Sequence, residues 1–162
     1  MKNAIAIGML GLALVSNRAA AQTAVEQAQI LRDFERSVVE YTQRHHCLAM
    51  FPEALNAATP APKIFTLPVA MVFRQTIARV LAGGDAAIGA VGTPSHRALV
   101  LRPFPTNELY DFPPVLADVL PELPTTLEYR LIGNDLVIRD TVADVIVAVL
   151  RDAVGNATTV RR

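Results

Sequence analysis

The sequence predicts an α+β fold: two N-terminal amphipathic helices packed with a small antiparallel sheet around a C-terminal β-hairpin, closed by a terminal apolar helix. Three observations predict it. Residues 127–140 spell out a hairpin with Gly133-Asn134 at its turn. Residues 24–48 and 67–82 carry apolar side chains at helical spacing. An apolar segment, residues 142–150, follows the hairpin and is placed to cover it.

The chain begins with a segment expected to be lost. Met1-Lys2-Asn3 is a short basic start, Ala4 to Val15 is apolar, and Ala19-Ala20-Ala21 is an A-x-A cleavage site before Gln22. That is the pattern of a secretory signal peptide, residues 1–21. Twelve apolar residues fall short of the ~20 a membrane span needs, and no later run reaches that length. No cysteine near the cleavage site offers a lipid anchor. The mature chain is therefore expected to be exported and soluble. Its leader and Ala-rich composition point to a bacterial envelope, periplasmic or secreted.

Cleavage leaves 141 residues with 13 basic and 15 acidic side chains, a single domain over 22–154 and a polar, disordered tail over 155–162. A net charge near −2, with Lys63 the only lysine remaining, argues against nucleic-acid binding, which needs a basic patch. Cys47 is the only cysteine, so no disulfide forms within the chain and the core must hold the fold. It is expected to be buried or inert.

Val25, Leu31, Phe34, Val38 and Tyr41 form the apolar stripe of the first helix, with Asp33, Glu35, Arg36, Glu40 and Arg44 on its solvated side. Pro52, Pro60 and Pro62 mark a connecting loop. Thr66 is placed to cap the second helix, Pro68 lies in its first turn, and Phe65 can staple back onto it. Val69, Phe73, Ile77, Val80 and Leu81 make its buried stripe, and Gly83-Gly84 ends it. Residues 83–97 read as a mobile Gly/Ala-rich loop and 98–102 as a short strand stopped by Pro103 and Pro105. A short helix from Val115 to Leu120 precedes Pro121.

The hairpin register follows from its turn: Ile132 faces Asp135, Leu131 Leu136, Arg130 Val137, Tyr129 Ile138 and Glu128 Arg139. Leu127, Tyr129, Leu131, Leu136 and Ile138 then share one buried face, and Arg130 and Arg139 lie with Glu128 on a solvated one. Beyond it, Val142, Val145, Ile146, Val149 and Leu150 fall at helical spacing, which favours a helix. The β-branched run keeps a strand at 145–150 as the alternative.

Ile64-Phe65-Thr66 leading into Val69-Ala70 and Phe73-Arg74, with Leu120-Pro121-x-Leu-Pro124, Leu127-Glu-Tyr-Arg and Gly133-x-Asp-Leu-Val, resembles a group of small exported bacterial proteins of unknown function. The resemblance covers roughly residues 30–152, with Leu67-Pro68 reversed from the commoner order. The Tyr-Arg-x-x-Gly-x-Asp hairpin and its apolar follower are also similar to the periplasmic nickel/cobalt-homeostasis module, over about residues 123–150. That similarity implies a shared small fold. It carries no metal ligands, because the hairpin and its flanks contain neither His nor Cys.

Candidate chemistry is sparse. His45-His46-Cys47 supplies metal-binding atoms, but consecutive helical residues diverge by about 100°, so one ion cannot meet all three while the helix persists. His45 and His46 remain the weak metal candidates. A Cys47–His96 dyad has no local signature around it. No G-x-S-x-G, H-E-x-x-H or Walker-type motif is present, and Asp135, Asp140 and Asp144 fit no EF-hand loop. Asp135 is expected to cap the hairpin turn and Asp140 the following helix. Phe104, Tyr110 and Phe112, in a Pro-interrupted segment, either form a partner-binding patch or pack over the hairpin. The expectation is a non-enzymatic envelope protein without a cofactor that binds another protein or itself; the alternative is a small-ligand or metal-ion binder.

Overall fold

The computed structural model describes residues 10–48, 63–83, 97–105 and 111–155, with α1 side chains described from Thr23 to His45. Its elements are α1 (Leu10–Leu48), α2 (Leu67–Ala82), α3 (Pro114–Ala117), β1 (Leu127–Ile132), β2 (Asp135–Asp140) and β3 (Val145–Leu150). The strands form one antiparallel sheet in the order β1-β2-β3. The class is α+β, with helices against one face of the sheet and an irregular strap, residues 97–105, against the other. The expected loop at 52–62, most of that at 83–97, the tail beyond Gly155 and the first nine residues lie outside the described residues.

Helix α1 runs from Leu10 through the expected cleavage point without a break. Phe34, Val38 and Tyr41, spaced i, i+4 and i+7, are its buried stripe, whereas Val25 is exposed. Asp33–Arg36 and Glu40–Arg44 pair along the solvent side. Pairs this exposed contribute only ~0.3–0.5 kcal/mol each.

Helix α2 has the bounds its sequence predicts, with Pro68 in the first turn. Thr66 occupies the N-cap position in extended backbone but makes no side-chain cap hydrogen bond. Gly83 remains in the right-handed region, at φ −70°, and its N–H reaches the Val80 carbonyl at 3.1 Å. Phe73 joins the helices: its ring lies 4.9 Å from Phe34 and 5.4 Å from Phe65, edge-on to the latter. Phe65 therefore does fold back onto the helix it precedes.

The hairpin has the predicted register in every pair from Leu127–Asp140 to Ile132–Asp135. Gly133 takes φ 58° at the turn, which a side chain would resist. Leu127, Leu131, Leu136 and Ile138 are buried under the helices, with Tyr129 partly buried beside them.

Two expectations are corrected. The segment after the hairpin is a strand, not a terminal helix: β3 pairs with β2 from Asp140–Val145 to Leu136–Leu150, with a bulge opposite Ile138/Arg139 that places Val147 as an extra residue. Val142, first point of the helical pattern, is 74% exposed. Residues 98–102 are not a strand. The chain turns over at Leu101, φ 61°, and pairs with the sheet as an isolated Pro103–Val145 bridge rather than as a strand. Leu101 N–H donates to the Ile146 carbonyl (2.7 Å), Ile146 N–H to the Arg102 carbonyl (2.9 Å) and Phe104 N–H to the Asp144 carbonyl (3.0 Å). The strap thus shields part of the outer edge of β3, and its Ala98 and Phe104 cover Ile132, Val137 and Ile146 on the second sheet face. The predicted short helix exists as α3, one turn whose Leu116 is fully buried.

Candidate functional site

At the end of the sheet where α1 crosses it, Asp140 is 6% exposed, and three donors reach it. Tyr41 O–H donates to Oδ2 at 3.1 Å, and the Val142 and Ala143 N–H groups donate to Oδ1 at 2.9 Å each. Asp140 therefore caps, as its sequence suggests, but it caps a turn into a strand. Burial, followed by the Asp140 charge, holds the Tyr41 hydroxyl far above its ordinary range and so protonated. The His45 ring lies 4.0 Å from that of Tyr41. Burial draws its pKa below 6.5 against the opposing pull of Asp140. His45 is the metal candidate that the structure describes; the side chains of His46 and Cys47 lie outside the described residues. Among the described residues no group of three His, Cys, Asp or Glu side chains could hold an ion.

A charged row crosses the second sheet face. Arg130 and Arg139 donate to Glu128 at 2.6 and 2.9 Å, and Arg139 also reaches Asp144 at 2.7 Å. The Arg130 hydrogen bond, with that of Arg139 and both charges, holds the Glu128 carboxyl below its ordinary range despite partial burial. The expectation of a solvated face is corrected: the Arg139 side chain is 15% exposed. Its guanidinium carbon sits 4.9 Å from the centre of the Phe104 ring, and the strap covers this side. These arginines are engaged with the chain's own carboxylates, which leaves a ligand carboxylate to compete with Glu128 and Asp144.

The three carboxylates near the hairpin do separate work. Asp140 caps, Asp144 holds Arg139, and Asp135 pairs with Arg151 while accepting the Asp152 N–H at 2.9 Å. Asp135 thus ties the turn to the residues after β3. Arg151 also donates to the Ala98 carbonyl, fastening the strap.

Of the aromatic candidates, Phe104 is 3% exposed, packed from the strap onto the second sheet face. Phe112 stacks on Tyr129 at 5.9 Å. For these two rings, packing over the hairpin is the arrangement found, and Phe104 is unavailable to a partner in this conformation. Tyr110 lies outside the described residues.

Two features had no counterpart in the sequence reading. A groove of about 200 Å³ lies between α1, α2 and the α3 turn, lined by Leu31, Glu35, Phe73, Thr76, Val119 and Leu120. Near it, Tyr129 O–H donates to the Pro121 carbonyl at 3.0 Å, and burial together with the Glu35 charge keeps that hydroxyl protonated. The other feature is the edge of β1. The Thr141 N–H bond to the Thr126 carbonyl, 2.9 Å, continues the set of pairs that begins at Ile132–Asp135 and includes Glu128 and Arg130. The backbone groups of Tyr129 and Leu131 therefore face away from β2, and no other backbone group among the described residues meets them. Turn position and strand parity would have located this edge from sequence, given knowledge that no strand among the described residues lies beyond β1. Comparison with protein-family models, with curated proteins and with solved structures finds no match to the chain.

Proposed function

We propose that the chain is an exported envelope protein that acts by binding another protein or a second copy of itself, without catalysis and without a cofactor. The leader pattern before Gln22 supports export. The edge of β1, whose outward Tyr129 and Leu131 backbone groups meet no other backbone group among the described residues, carries the binding reading. An unpaired strand edge is a template for an added strand, supplying main-chain hydrogen bonds, while alternate side chains confer selectivity. The groove beside Glu35, at about 200 Å³, is smaller than the ~300–1,000 Å³ usual for small-ligand sites, so it does not favour the ligand-binding alternative.

The test is the state of the mature chain in its native envelope. Mass analysis should place its first residue at Gln22. In situ cross-linking and light scattering of the purified protein should give a defined oligomer or one stoichiometric partner. A chain that is exported yet stays monomeric and cross-links to nothing overturns the binding reading; a chain that retains its first 21 residues overturns the export.

A further inference from the structure

We propose that the strap, residues 97–105, is a latch that opens as a unit while the rest of the protein stays folded, with Arg151 as its catch and Leu101 as its strained turn. The inference goes beyond the binding reading and does not depend on it.

Little holds the strap in place. Ala98 and Phe104 are its only buried residues. They complete a second core whose other buried members, Ile132, Val137 and Ile146, all belong to the sheet. Leu99 and Leu101 are 50% and 44% exposed. Among the described residues, the strap backbone meets the sheet through three hydrogen bonds: Leu101 N–H to the Ile146 carbonyl, Ile146 N–H to the Arg102 carbonyl and Phe104 N–H to the Asp144 carbonyl. Few buried apolar groups and few backbone bonds mark a segment that opens more readily than the whole fold unfolds.

Two features bias it in opposite directions. Leu101 holds φ 61°, a left-handed conformation that a side chain resists. The Arg102 N–H reaches back to the Leu99 carbonyl at 3.3 Å, so this strain sits in a tight reversal and favours release. Arg151 opposes release. Its guanidinium donates to the Ala98 carbonyl and to Asp135 at the hairpin turn. Asp135 is in turn fixed by the Asp152 N–H at 2.9 Å. A charge-assisted bond thus closes the Ala98 end of the strap, and the packing of Phe104 beside Arg139 closes the other. Opening frees the Asp144 carbonyl and both backbone groups of Ile146 at the edge of β3, and brings Ile132, Val137 and Ile146 to water. The latch therefore gates that stretch of strand edge and that apolar face.

Residue-specific amide exchange in the unaltered protein tests this. The Leu101, Phe104 and Ile146 amides should share one level of protection, at least about tenfold below that of Arg130 and Val137, which pair within the hairpin. Their exchange should also respond weakly to denaturant, because opening exposes little surface. Exchange at the hairpin's rate and with its denaturant slope would mean that the strap opens only with the whole fold. Three unrelated rates would mean piecemeal fraying. Either result overturns the inference.

Variants then test the two named parts. Arg151→Gln should speed all three amides together by at least about tenfold and leave Arg130 and Val137 unchanged. No change in the strap amides, or equal exposure of the hairpin amides, overturns Arg151 as the catch. Leu101→Ala and Leu101→Gly both remove the leucine side chain and differ in their tolerance of positive φ. Strap exchange should be about threefold slower in the glycine variant than in the alanine variant, whereas at an ordinary φ alanine closes better. Faster exchange in the glycine variant, or equal exchange in the two, overturns Leu101 as a strained turn.

Discussion

Asp140 draws α1, the hairpin and the turn into β3 onto one carboxylate. A hydrogen bond to a charged group contributes ~1.5–3 kcal/mol. Tyr41→Phe should therefore cost about 1–3 kcal/mol in chemical denaturation, with the fold retained, because the two backbone donors still hold Asp140. His45 stands beside this link with its pKa lowered by burial, so the folded state favours the neutral ring. The unfolded chain binds the proton more readily, and stability attributable to His45 is present above pH 6.5 and lost as pH falls below that value. The melting temperature should fall between about pH 7.5 and pH 5.5, and His45→Gln should reduce that fall. An unchanged slope in the variant would remove His45 from the account.

At the scale of elements, local rules succeed where the chain closes on itself over a few residues. Gly133 at φ 58° is required by the two-residue turn, and that turn fixes which residues of β1 and β2 meet. Gly133→Ala should cost about 1–2 kcal/mol, the penalty of a side chain in the left-handed region, and should leave the register unaltered. Nuclear Overhauser contacts between Tyr129 and Ile138 would report the register, and their loss would contradict that expectation. Helix α2 is legible for a similar reason, since Pro68 and the glycine after Ala82 delimit it locally. The capping bond expected of Thr66 is absent, because position within a motif does not ensure that a hydroxyl turns toward the backbone.

At the scale of the molecule, the sheet is buried on both faces, and this accounts for most of what sequence periodicity misreads. In β3, Ile146 packs under the strap while Val147, Ala148 and Leu150 pack under the helices. A strand buried on both sides is a nearly continuous apolar run, through which a helical spacing can be drawn as easily as an alternating one. The bulge at Val147 further breaks the alternation. Phe104 belongs to this second core, so Phe104→Ala should destabilise by about 3–5 kcal/mol, read as a lower denaturation midpoint. A loss of partner binding without a loss of stability would restore it as a surface residue. The β1 edge was also hidden at sequence level, because the number of strands decides whether an edge exists.

The amino-acid sequence by itself determined the hairpin and its register, the bounds of α2, the α1 stripe from Phe34 to Tyr41 and the α+β class, because each follows from contacts between residues close in the chain. Tertiary structure alone decided that residues 145–150 are a strand, that Phe104 is core and that Arg139 is shielded. It also joined Tyr41 to Asp140 across 99 residues. The physical reason is common to all of these: pairing with β2 satisfies the backbone of β3, the strap removes its second face from water, and neither partner is encoded in the local pattern of the segment it covers.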